Sequence, residues 1–320
     1  MRALIGRIGL FAAGLALVAM PAAAQTEKLR VALPQKGLWE TSITILGEKA
    51  GIFKKAGIEL DILHTRGGSE TMQAVLAGSV DVARANGILG TIGGYSRGAP
   101  IRITAASMTG SPDAFWYARA DSGIETPQDM AGKKIGFSRP GSSTHLIALA
   151  VLDHFNIKAE VVPSGGPSES FTQTMSGQID LGWSVPPFRL DDIAAGKLRI
   201  VARGSDVTAM KDQTVRVNVT SASTLQNKRD LLVRFHEAWV QSLEYAYSDD
   251  QALKDYAEFA GVTVDVARET RDKFYVKESM QPYRIGDLEL SLKQAHEYKF
   301  TTRLLTPDDV KGMIDILVKQ

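Results

Sequence analysis

The sequence predicts an α/β protein built as two similar lobes. Short β-type runs alternate with helical patterns along the chain, the signature of helix-covered sheets. A sixteen-residue segment also occurs twice. Gly67–Val82 aligns without gaps on Gly166–Leu181, 99 residues later, with Gly67/Gly166, Ser69/Ser168, Glu70/Glu169, Gly78/Gly177 and Asp81/Asp180 identical. Only two copies exist, so the pattern means two lobes and not a solenoid.

Taken in order, the expected strands are Leu29–Leu33, Ile58–Leu63, Val80–Ala83, Ile101–Ala105, Phe115–Ala118, Lys134–Phe137, Glu160–Val162, Ile179–Trp183, Leu198–Ala202 and Val215–Val219. Helices are expected at Ser69–Ala77, ended by Gly78, and at Ser143–Phe155, where Leu146, Ala150 and Val151 share one face. Each copy of the repeat reads as a Gly-containing loop, an N-capping Ser, a helix, a terminal Gly and a short buried strand. After Val219 only helices are expected. Leu231, Phe235, Trp239 and Leu243 form an apolar stripe facing a core, which puts His236-Glu237 on the solvated side as a surface pair. Further helices are read at Asp265–Tyr275 and after the cap Thr306-Pro307-Asp308-Asp309. Having no sheet of their own, these helices should return to the first lobe. That lobe would then comprise residues 25–108 and 212–320 and the second 109–211, with hinge strands near Thr104–Phe115 and Gly204–Val215.

Arg2 and Arg7 precede an apolar run from Ile8 to Met20, followed by Pro21-Ala22-Ala23-Ala24. This reads as a secretory leader cleaved after Ala24, with a periplasmic destination. Removing Arg2 and Arg7 from the 37 basic residues leaves 35 against 36 acidic ones, a nearly neutral surface without the basic footprint of nucleic-acid binding. The chain has no cysteine, which excludes disulfides, a thiolate nucleophile and a lipid-anchored Cys.

No catalytic set emerges. His64, His145, His154, His236 and His296 form no HExxH and no i, i+4 pair, so no metal site is expected. Ser142, Ser143 and His145 lie close in sequence but lack a nucleophile elbow, and no phosphate or dinucleotide loop follows a strand. No cofactor is expected. Binding motifs are better supported, because ligands of open α/β sheets collect beyond the carboxyl ends of strands. Ser138–Thr144 follows a strand and opens a helix, bringing Arg139, Ser142, Ser143 and Thr144 to a helix N-terminus that favours an anion. Gly67-Gly68-Ser69 offers a similar donor set from the first lobe, and Arg84 stands beyond a strand of the same lobe. Trp39 and Trp183 sit at strand exits, as cleft wall or as core. Arg216 is a weaker candidate, with a structural salt bridge as its other reading.

The segments Gly51–Leu60, Leu76–Asp81, Gly98–Ile101, Thr126–Lys134 and Ser176–Asp180 resemble the nitrate/sulfonate/taurine substrate-binding family, also called SsuA/THI5-like, of the type II periplasmic-binding-protein fold. The resemblance implies two mixed sheets flanked by helices with two hinge crossings. It also implies ligand contacts from Gln35, Trp39, Gly68, Ser69, Arg84, Asn86, Arg139, Ser142, Ser143, Thr144, Trp183 and Pro186. The implied role is capture of a small organic anion (sulfonate, taurine, nitrate or carboxylate) by a monomeric protein that delivers it to an ABC permease with a cytoplasmic ATPase. A neutral heterocycle such as a thiamine pyrimidine precursor, or a sensory role, is the alternative.

Overall fold

A computed structural model describes residues 26–320; the expected leader and its expected cleavage position lie outside the described residues. The strands are β1 (Glu27–Pro34), β2 (Ile58–Thr65), β3 (Val82–Gly87), β4 (Ile101–Thr109), β5 (Phe115–Arg119), β6 (Lys134–Phe137), β7 (Glu160–Pro163), β8 (Gly182–Ser184), β9 (Leu198–Arg203) and β10 (Thr214–Ser221). The first sheet has the order β2-β1-β3-β10-β4. Within it β1 runs parallel to β2 and β3, and β10 is antiparallel to β3 and β4. In the second lobe β5 lies antiparallel between β8 and β9, β6 pairs in parallel with β7, and a bridge from Ile135 to Leu181 joins β6 to β8. The resulting order, β7-β6-β8-β5-β9, repeats that of the first sheet, with one antiparallel strand fourth in each. The chain crosses between the sheets twice, between β4 and β5 and again between β9 and β10.

The repeated segment is one structural unit used twice. Helix α1 (Trp39–Lys49) precedes it; α2 (Gly68–Leu76) then leads to β3, as α5 (Pro167–Met175) leads to β8. Between these lie α3 (Ile88–Ser96) and α4 (Ser143–His154). Gly78 and Gly177 take the left-handed conformation (φ 71° and 75°) that ends each helix. The repeated aspartates have the same task. Asp81 Oδ2 accepts the Arg30 N–H of β1 at 3.1 Å, and Asp180 Oδ2 accepts the Lys134 N–H of β6 at 2.8 Å. The expected Ser caps are corrected: the N-caps are Gly67 and Gly166, because Pro167 occupies the first turn of α5 and α2 begins at the matching position.

The core of the first lobe packs its sheet against α1 and α6 (Arg229–Ser248), where Leu231, Leu232, Phe235, Trp239 and Leu243 are buried. A Cβ on Gly47 would lie 1.8 Å from Ser242 Oγ, so glycine permits the close approach of these two helices. His236 is not on the solvated side. It is buried, with Nε2 2.9 Å from Thr104 Oγ1, because the apolar face of α6 is wider than a single stripe. Burial, aided by the Arg84 charge, pushes its pKa down to about 3. Helix α7 (Leu288–Glu297) packs on α3. The tail is not purely helical: Asp315 N–H donates to Ile103 O and Leu317 N–H to Thr104 O, at 2.9 and 3.0 Å, so the C-terminal segment extends the sheet beside β4. Among the described residues no helix is long and apolar enough to cross a membrane.

Candidate functional site

The strand ends and helix starts of the two lobes meet around a small cavity of about 20 Å³. The first lobe lines it with Pro34, Gln35, Leu38, Gly68, Ala85 and Arg216, the second with Ser138, Ser142, Ser143, Thr144, Trp183 and Val185. Gln35, just past the end of β1, and Ala85, where the pairing of β3 with β10 shifts register, hold φ values of 52° and 53°. Non-glycine residues adopt this region only where their surroundings fix it. Gly68 is required for closeness: a Cβ there would lie 2.5 Å from Ala85 O.

The second-lobe wall is a helix N-terminus dressed with hydroxyls. Ser142 caps α4 by accepting His145 N–H at 3.2 Å, while Thr144 Oγ1 lies 3.0 Å from both Ser142 Oγ and Ser138 Oγ. The Ser143 and Thr144 N–H groups lie in the first turn and have no intrahelical acceptor, nor does Gly68 N–H at the start of α2. Two helix N-termini thus bring donors and partial positive charge to one cavity.

Arg216 of β10 binds the site together. Its Nε donates to Ser143 Oγ at 3.0 Å, and Nη1 donates to Glu40 Oε2 at 2.9 Å and Asp113 Oδ2 at 2.6 Å. Glu40 lies in α1 and also accepts from Ser107 Oγ, whereas Asp113 lies in the first crossing; both are buried. These bonds leave the Nη2 edge for the cavity. Burial alone would lower the pKa of Arg216, but Asp113 and Glu40 raise it above the ordinary arginine value. Arg216 is therefore both a buried ion pair and a cavity residue.

Of the residues expected from sequence, Gln35, Gly68, Ser142, Ser143, Thr144 and Trp183 line the cavity, and six do not. Trp39 belongs to the core: its indole N–H donates to Tyr247 Oη at 3.1 Å and its ring meets Tyr256 edge-on, since α1 begins at Trp39 and turns it inward. Arg84 is fully buried with its guanidinium 4.1 Å from the Trp239 ring, on the helix side of the sheet and not toward the cavity. None of its three side-chain nitrogens has a protein partner, and burial, opposed by the Glu40 charge, lowers its pKa to about 10. Asn86 is held inside the first lobe by Ala83 O and Thr71 Oγ1. Ser69 and Arg139 bridge the lobes at the rim, Ser69 Oγ to Pro140 O at 3.0 Å and Arg139 to Glu70 at 2.6 Å. Pro186 contributes its carbonyl to Tyr275 Oη at 3.3 Å.

Sequence reasoning missed Glu40 and Asp113. One signal was available: an arginine in the apolar strand Val215–Val219 must bury its charge against carboxylates. His145 does not activate the neighbouring serines. Its Nδ1 accepts Gly141 N–H at 3.4 Å, and its ring stacks on Phe137 and meets Phe300 edge-on. Among the described residues no group of His, Asp or Glu side chains is arranged to hold a metal ion.

Paired five-stranded sheets with two crossings and a small cavity between them define the two-lobed periplasmic-binding-protein fold. The chain belongs to the NMT1/THI5-like family, whose model matches residues 40–252. A Brucella abortus protein named as a binding protein without a stated ligand is 30% identical over 145 residues, 44% of this chain and 42% of that protein, so the match spans about two-fifths of the curated relative. The alkanesulfonate-binding protein SsuA from Xanthomonas axonopodis pv. citri, bound to MOPS, is similar at TM-score 0.75 and 16% identity, covering 92% of this chain and 100% of that one. The periplasmic aliphatic sulphonate binding protein SsuA from Escherichia coli is similar at TM-score 0.68 and 17% identity, over 92% and 94%.

Proposed function

We propose that this protein is the periplasmic substrate-binding component of an ABC importer and that it captures a small organic anion, of the sulfonate or carboxylate type, between its lobes. The observation that carries this reading is the convergence of two helix N-termini and one guanidinium edge on the interlobe cavity. An anionic oxygen there accepts from the Gly68, Ser143 and Thr144 amides and from Arg216 Nη2, an oriented donor set that needs no further net charge. Family membership, the fold and the names of the sulfonate-binding relatives support the role. A cavity of about 20 Å³ admits a ligand only if the lobes, residues 25–108 with 212–320 and residues 109–211, open about the two crossings.

A second reading, a neutral heterocycle, is favoured by one observation: two buried carboxylates contact Arg216, so the positive charge facing the cavity is already compensated. A thermal-shift panel of alkanesulfonates, taurine, nitrate, aromatic carboxylates and pyrimidines separates the two. At a hundred times its dissociation constant the true ligand stabilises the protein by about 2.7 kcal/mol. Stabilisation by pyrimidines with none by any anion overturns the anionic assignment.

A further inference from the structure

We propose that the groove beside the turn Tyr298–Arg303 is a second binding site, separate from the interlobe cavity, for a small anion of two or more negative charges, of the phosphate or polycarboxylate class. The groove encloses about 320 Å³ between the end of α3 and the turn that follows α7. Arg97, Lys299 and Arg303 surround it, with Tyr95, Phe300 and Thr302 completing the wall. Arg303 is neutralised by Asp309, which also lines the groove, at 2.6 Å. Arg97 donates Nη1 to Phe300 O at 3.1 Å and, like Lys299, has no carboxylate partner among the described residues. Two cations without a carboxylate partner among the described residues thus share one concave surface. A guanidinium edge beside an ammonium suits an oxyanion able to accept several hydrogen bonds at once.

The turn is held in shape before any ligand arrives. Lys299 has φ 62°, in the left-handed region, and the turn is fastened to α7 by Lys299 N–H to His296 O, Phe300 N–H to Ala295 O and Thr301 N–H to Ala295 O. These three backbone hydrogen bonds fix where the chain carries Lys299 past the groove. The same turn reaches the second lobe: the Phe300 ring meets His145 of α4 with centroids 5.3 Å apart, and Tyr298 Oη donates to Asp153 at 2.6 Å.

The test is isothermal titration of the wild-type protein with inorganic phosphate and with citrate, at constant ionic strength. One site is expected, and R97Q/K299Q weakens it by about tenfold or more. The control K54Q/K55Q removes the same charge from the exposed helix Ile52–Lys55 and keeps the wild-type isotherm. Absence of binding to the wild type, equal affinity in R97Q/K299Q, or an equal loss in both double variants overturns the proposal.

Discussion

Arg216 and Arg84 show how differently two buried arginines act. Arg216 has two carboxylates and a hydroxyl in bonding contact, so removing it strands Glu40 and Asp113 in a dry interior. Arg216→Met is expected to cost about 3–5 kcal/mol of unfolding free energy by denaturant titration and to abolish ligand binding. Arg84 has no such bonds and rests on Trp239. Arg84→Met, of similar length and without the desolvation penalty, should leave stability within about 1.5 kcal/mol and ligand affinity unchanged. A large affinity loss in that variant, by calorimetry, would return Arg84 to the site. The sequence could not separate the two, because which face of a strand a side chain takes depends on register. A one-residue shift exchanges the cavity side for the helix side.

At the scale of elements, closure depends on the start of α3 meeting the loop before α4. A Cβ on Gly90 would lie 2.3 Å from Gly141 O, a backbone atom with little freedom to move. Gly90→Ala should therefore hold the lobes apart and weaken ligand binding by about tenfold or more, while the ligand-free melting temperature changes little. Unchanged affinity would show that closure does not bring Gly90 and Gly141 together.

His145 adds a pH dependence to the same contact. Burial lowers its pKa from 6.5 to about 4, and protonating Nδ1 also removes the acceptor for Gly141 N–H. The closed form holds this imidazole neutral. Its contribution is full above pH 6.5 and is lost as pH falls from there toward 4. Affinity should fall across that window, by at most about tenfold per pH unit, and His145→Gln should flatten the profile. An unaltered slope in the variant would remove His145 from the linkage. His236, inside the first lobe with a pKa of about 3, acts in the same direction on unfolding and not on closure.

At the scale of the whole molecule, the fold was readable because its two lobes use one unit twice. Three of the five identities of the repeat map onto structural necessities. Two glycines start the helices, two end them in left-handed geometry, and two aspartates fasten the matching strands β1 and β6. The repeated Ser and Glu pairs have no shared task of this kind. Ser69 and Glu70 bridge to Pro140 and Arg139 at the rim, contacts that their counterparts do not make. The site was readable where it consists of backbone and local motif, as at Gly68 and Ser142–Thr144. It was hidden where three distant segments contribute one charge each, as Glu40, Asp113 and Arg216 do, since no spacing in the chain records their meeting. Trp39, readable as cleft wall or as core, is core for a related reason: a strand exit is also a helix start, and the helix turned the ring inward.

A ligand seated on the N-termini of α2 and α4, with the lobes closed over it, shields the amides there from solvent. Backbone amide hydrogen exchange, measured residue by residue with and without the best ligand of the thermal-shift panel, tests this directly. Exchange is expected to slow at Gly68, Ser143 and Thr144, which have no intrahelical acceptors. Protection confined to other parts of the molecule, with these three amides exchanging as in the free protein, would contradict it.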